Sequence, residues 1–154
     1  MKHAFYSIVF VAICTVLGCG EKVIKTEYVE GTVRHKGEPV ADAVLVFSPV
    51  NESEGSLSAH GRTNTEGKYV IQTRGGAIGK GTTPGEYKVL VSKSTVTVVG
   101  KIKTVPGGPE YDDIRHEEAL PKVYNAITTT PLTVTVKAGG PNVFDFDLVD
   151  NPGR

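Results

Sequence analysis

Tryptophan is absent from this 154-residue chain, methionine occurs once, and both cysteines, Cys14 and Cys19, fall within the first nineteen residues. Nothing after Cys19 can form a disulfide within a domain or supply a thiolate pair to zinc, so stability has to come from packing. Neither sign of charge prevails. The 17 Lys and Arg are interspersed with 17 Asp and Glu, and the basic stripe that binds nucleic acid is missing. No P-loop and no G-x-S-x-G elbow occurs. No segment repeats at the roughly 20–50-residue period of a solenoid, and no long helical period emerges.

The first residues stand apart from the rest. Lys2 is followed by the apolar run AFYSIVFVAICTVL, residues 4–17. A run of about fourteen is short for a membrane span but fits the apolar region of a signal peptide. It ends at Val16-Leu17-Gly18-Cys19, which resembles a bacterial lipobox, although Leu17 occupies a place more usual for a small residue. The resemblance implies a lipoprotein signal peptide over residues 1–18 and fatty acylation (palmitate) of Cys19 as the mature N-terminus. Residues 19–27 then read as a polar tether. No Lys/Arg cluster adjoins Cys19, so lipid would have to supply the membrane affinity.

The domain, residues 28–150, is organised around residues 29–47, VEGTVRHKGEPVADAVLVF. Val29, Gly31 and Val33 alternate with polar residues as in a half-buried strand, Gly37 and Pro39 supply turn chemistry, and Ala43, Leu45 and Phe47 resume the period. Residues 59–63 and 69–71 read as short strands joined by the turn Asn64-Thr65-Glu66-Gly67. Tyr87, Val89 and Val91 mark another strand, as do Leu132, Val134 and Val136, and Phe144, Phe146 and Leu148. The β-rich residues 95–105 read as an extra hairpin or an extension. Polar residues 112–120 are expected to form one or two helical turns between Pro109 and Pro121. Residues 48–58, 74–85 and 106–121 read as loops. Seven short strands divided by Gly, Pro and Asn predict an all-β sandwich.

Several segments, in this order, carry a family likeness: Gly31-Thr32-Val33, then Gly37-Glu38-Pro39-Val40-Ala41-Asp42-Ala43, Thr63-Asn64-Thr65-Glu66-Gly67-Lys68-Tyr69 and Pro84-Gly85-Glu86-Tyr87. Together they resemble carboxypeptidase regulatory-like domains. The closing segments Leu120-Pro121, Tyr124-Asn125 and 132–148 are similar to a subgroup of small bacterial lipoproteins built on one such domain. The resemblance implies a seven-stranded Ig-like or transthyretin-like β-sandwich after the signal peptide. It also implies that the motif residues build the fold: Gly and Pro shape turns, Ala43 lets two sheets approach, and Tyr87 acts as a corner tyrosine whose hydroxyl ties down a loop.

Candidate sites are sparse. His35, His60 and His116 show no metal-ligand spacing, and solvent exposure accounts for them. Hydroxyisourate hydrolases share the related topology, but their Tyr-Arg-Gly-Ser signature does not occur. Intradiol dioxygenases hold iron with two Tyr and two His, and beside Tyr111 and His116 there is no second such pair. Asp112, Asp113, Glu117 and Glu118 lack the loop pattern of a calcium site and read as a solvated acidic face. Asp145 and Asp147 fall on the outward face of their strand. The sequence therefore points to a non-enzymatic, lipid-anchored cell-envelope module with no catalytic residue, metal or cofactor. Its loops would meet a protein or glycan partner. The alternative, a carbohydrate-binding surface lipoprotein, would rely on Tyr111 and Tyr124 as aromatic platforms.

Overall fold

The computed structural model describes residues 25–51, 56–73 and 81–152. The expected signal peptide, Cys19 and most of the expected tether lie outside the described residues. The chain folds as an all-β sandwich. Its strands are β1 (Val29–His35), β2 (Glu38–Pro39), β3 (Val44–Pro49), β4 (Ala59–Arg62), β5 (Lys68–Val70), β6 (Gln72–Thr73), β7 (Gly85–Ser92), β8 (Ser94–Lys103), β9 (Glu110–Glu118), β10 (Thr133–Val136), β11 (Asn142–Val143) and β12 (Phe146–Leu148). Among the described residues a single 3-10 turn occurs, Lys122–Tyr124.

β1 is the spine of the first sheet. Its burial alternates as the sequence period requires, with Val29, Gly31 and Val33 inward. It pairs antiparallel with β5 and β2, and parallel with β11 and β12 from the end of the chain. The β1–β2 turn places Lys36 and Gly37 at φ 54° and 84°. Two positive φ values in a two-residue hairpin turn match the right-handed twist of the strands it joins. Pro39, expected within the turn, instead pairs with Arg34 in β2; as an edge residue it has no ladder donor to lose.

The second sheet runs β10-β7-β3-β4-β6, antiparallel throughout. Its inward residues Leu45, Phe47, Val89 and Val91 are fully buried, facing Val29, Val33, Tyr69 and Phe146 of the first sheet within one core. Aromatic rings bind the layers. Phe47 lies 6.1–6.5 Å from Tyr69, Tyr87 and Phe144, and Tyr69 stacks on Phe146 at 6.2 Å and 11°, separations at which ring pairs add attraction beyond their buried area.

Buried polar groups are spent on holding loops. The Tyr87 hydroxyl donates to the Thr83 carbonyl at 2.8 Å and shares hydrogen bonds with the Thr82 and Thr83 hydroxyls. This is the corner role expected of Tyr87. It also buries Thr82 and Thr83, at the end of a segment expected to be an open loop. Thr82 pairs in turn with Glu27 through two backbone hydrogen bonds, so Glu27, expected as the last residue of a tether, is joined to the sandwich. Asn142, 4% exposed, bonds both the amide and the carbonyl of Lys137 and closes the β10–β11 turn.

Two expectations are corrected here. There are twelve strands among the described residues instead of seven. β2, β6 and β11 are two-residue pieces too short to show a period; the strand expected at residues 69–71 is interrupted at Ile71 between β5 and β6, the one expected at residues 144–148 is shortened to β12, and Asn142, expected in the turn, opens β11. Residues 112–120 are not helical. Residues 110–118 form strand β9, paired along its whole length with β8, because backbone pairing with a β-rich neighbour outweighs a weak helical preference.

Gly31 supplies the most stringent test of this packing. A Cβ there would run into the Phe144 carbonyl and come within 2.9 Å of the Tyr69 hydroxyl, whereas one at Gly140 would meet nothing nearer than 3.9 Å. Gly31→Ala should therefore cost about 2–4 kcal/mol, and Gly140→Ala should stay within about 0.5 kcal/mol of the parent. Urea unfolding of both variants measures the difference.

Candidate functional site

Three surfaces were expected to carry recognition, and the structure separates them. In 48–58 and 74–85, residues 52–55 and 74–80 lie outside the described residues. Residues 106–121, expected as a loop, are largely one strand of a two-stranded ribbon formed by β8 and β9. The ribbon leaves the sandwich after β7 and returns at the buried Leu120. At its base the Ala119 amide donates to the Lys93 carbonyl at 2.8 Å. Every residue of β8 is exposed, and β9 is exposed except for the half-buried Asp113. With ten residues in β8 and about 3.3 Å per residue, the ribbon reaches some ~30 Å from its base.

The ribbon's surface is unusual for a solvated element. Val96 and Val98 are each 58% exposed, and Val99, Ile102, Tyr111 and Ile114 are 44–52% exposed. The register places Val98 opposite Ile114 and Val96 opposite His116, so these four share one face. A bulge between Val98 and Gly100 breaks the alternation, and Ile102 and Tyr111, three residues from Ile114, fall on the other face. Charge divides by strand. β8 contributes Lys101 and Lys103, which pair with Asp112 at 3.7 Å and Glu110 at 3.2 Å. β9 carries five carboxylates against Arg115. The acidic residues Asp112, Asp113, Glu117 and Glu118 are strung along an extended strand, where neighbouring side chains point to opposite faces. Such spacing does not gather the six to eight oxygens calcium takes. Among the described residues, no three His, Cys, Asp or Glu side chains converge as a metal site.

The two candidate platform tyrosines part company. Tyr111 is exposed on the ribbon. Tyr124 is 1% exposed; its hydroxyl donates to the Val149 carbonyl and accepts from the Val149 amide, both at 3.1 Å. Tyr124 is a core residue that ties the end of the chain down, and it cannot stack on a sugar. Tyr124 closes the Lys122–Tyr124 turn, and its local pattern carries no signal that distinguishes these roles. The histidines lie on three different strands: His35 at the end of β1, His60 on β4 and His116 on β9.

An open groove of about 1060 Å³ lies over Glu30, Thr32, His60, Arg62, Lys68 and Asp145, across the outer faces of β1, β4 and β5. Most of its charged groups already serve neighbours. One oxygen of Asp145 accepts from both the amide and the hydroxyl of Thr32, at 2.8 and 2.7 Å. Lys68 pairs with Glu66 at 2.7 Å and Arg62 with Asp42 at 3.7 Å. Tyr69 donates to the Phe144 carbonyl at 2.7 Å; burial, with the Asp145 carboxylate nearby, pushes this hydroxyl far above its ordinary pKa. It stays protonated and holds the sheet together. Asp145 and Asp147 are exposed, as the strand period requires.

The chain matches no protein-family model, and no curated protein matches it. Among solved structures it is similar to part of a 9R-lipoxygenase from Cyanothece, at 12% identity and a TM-score of 0.38, over 84% of this chain and 18% of that one. The chain thus spans under a fifth of that protein's length, and at this score the likeness carries no argument.

The chain end offers a pH-dependent contact. Asp150 accepts from Lys36 at 2.7 Å and bonds His35 at 2.9 Å. Lys36 first and His35 second hold its carboxyl below the ordinary aspartate range. A lowered folded-state pKa adds stability that is present above the unfolded-state value and lost as pH falls through the folded one. Asp150→Asn should lower the urea midpoint modestly at pH 7, and the gap to the parent should close as pH falls below the ordinary aspartate range.

Proposed function

We propose that the protein is a non-catalytic, lipid-anchored binding module of the bacterial cell envelope: a carboxypeptidase regulatory-like sandwich tethered through acylated Cys19, whose β8–β9 ribbon is its contact surface. The observation that carries this reading is the ribbon itself. An isolated two-stranded hairpin is marginal in water, yet this one presents six large apolar side chains to solvent. Exposed apolar surface of that kind marks an interaction site. The rest of the molecule supports the same reading. The charged groups of the groove are mostly committed to neighbours, the histidines are dispersed, and Tyr124 is withdrawn from any glycan platform. That last point favours a protein partner over the carbohydrate alternative.

The anchor and the contact surface are tested separately. Cys19→Ala should abolish fatty-acid labelling and release the protein from the membrane fraction. Retention in the membrane together with an unlabelled parent would refute the anchor. For the ribbon, the Lys93–Ala119 hydrogen bond at its base allows residues 94–118 to be replaced by Asn-Gly, a two-residue hairpin turn. The shortened protein should melt within about 5 °C of the parent, because the ribbon adds nothing to the core. It should also lose its crosslinked products on intact cells. Unchanged crosslinking would move the contact surface elsewhere.

A further inference from the structure

We propose that the ribbon's partner is a second copy of this chain. β8 of one copy pairs antiparallel with β8 of the other, giving a closed four-stranded sheet in the order β9-β8-β8-β9. This rests on reading the ribbon as a contact surface, and it follows from how differently its two edges, free of any partner strand among the described residues, are guarded.

An edge strand invites another strand unless charge, proline or a covering element blocks it. The free edge of β9 is blocked. Lys103 and Lys101 neutralise Glu110 and Asp112 there, but Asp113, Glu117 and Glu118 stand along it with Arg115 as the strand's one basic residue, and two such edges would set these six carboxylates against two arginines, which is destabilising. The free edge of β8 is open over residues 94–99, Ser-Thr-Val-Thr-Val-Val. These six residues hold no charge, no proline and no glycine, and five are β-branched, the composition that pairs most readily. The basic end of β8 does not prevent the approach, because Lys101 and Lys103 are each matched across the ribbon by a carboxylate.

Pairing β8 with β9 of another copy would also match charge, but it is head-to-tail. Every added copy leaves one open β8 edge and one β9 edge, and growth continues. Pairing β8 with β8 uses up the open edge of both copies and leaves a carboxylate-guarded β9 on each outer side. It is the arrangement that closes. It also doubles the strand number of a ribbon too small to be stable alone, and it collects Val96, Val98 and Ile114 of both copies on one sheet face. Anchoring at a membrane favours the encounter by raising effective concentration.

The cysteine distribution makes the test clean, since no cysteine occurs after Cys19. Single cysteines are placed in the full-length protein on β8 (Thr95→Cys, Thr97→Cys, Val99→Cys) and on β9 (Asp113→Cys, Arg115→Cys, Glu117→Cys), with the parent as background. After mild oxidation of intact cells, at least one β8 variant should yield a product of twice the chain mass. That product should exceed any from the β9 variants by about tenfold, and a charge added to the same edge by Val98→Lys should cut it about fivefold or more. Equal products from β8 and β9 variants, or ladders of higher mass, would overturn the β8–β8 pairing. If no β8 variant forms a dimer while ribbon cysteines crosslink to a different protein, self-pairing is refuted and the contact surface stands. If they crosslink to nothing, both readings fall.

Discussion

At Gly31 the backbone of β1 passes so close to Phe144 that a side chain would collide with its carbonyl. That close approach is what lets a strand from the start of the domain lie parallel to strands from its end. The Tyr69 hydroxyl crosses the same point to bond the Phe144 carbonyl at 2.7 Å, and the Tyr69 ring stacks on Phe146. One position thus brings together β1, the antiparallel β5 and the segment between β11 and β12. With β1 seated, Val29 and Val33 face Leu45, Phe47, Val89 and Val91, and the two sheets share one core without help from a disulfide.

The polar groups inside and around that core consistently hold chain segments in place. Thr63 fixes Ala43, Thr130 fixes Val89, Tyr87 fixes the threonines before β7, and Tyr124 fixes Val149. A buried polar atom costs free energy unless it is paired, and in each of these cases the partner is backbone from another element. The aromatic and hydroxyl groups that often serve binding or catalysis are here used up in architecture. The ribbon is the contrasting region: it adds nothing to the core and leaves its apolar side chains in water. A stable sandwich can carry such an element because its own packing does not depend on it.

How much was legible in the sequence follows from how strongly each segment's environment is one-sided. Val29 to Val33, Tyr87 to Val91 and Phe144 to Leu148 have a wet face and a dry face, so their period reads directly as strand and as burial. The corner role of Tyr87 was legible because Pro84-Gly85 marks the strand start before it. Residues 110–118 have no dry face, so nothing in their pattern separates strand from helix. The readable sign was indirect: Pro106-Gly107-Gly108-Pro109 is turn chemistry set between a β-rich run that needs a partner and the acidic segment that provides it. Tyr124 gave no sign in its local pattern, because an isolated aromatic near a turn looks alike in the sequence whether it packs inward or outward.

By itself the sequence determined the class of the fold and most of its inward residues, since period-two alternation and turn-forming Gly, Pro and Asn are local properties. Tertiary structure alone decided that β1 lies parallel to the chain's last strands, that Thr82 and Tyr124 are interior, and that the acidic segment is a strand in an exposed ribbon. Those outcomes depend on which backbone groups meet, across 7 to 24 residues of chain in the ribbon and 113 between β1 and β12, a relation that no local pattern encodes.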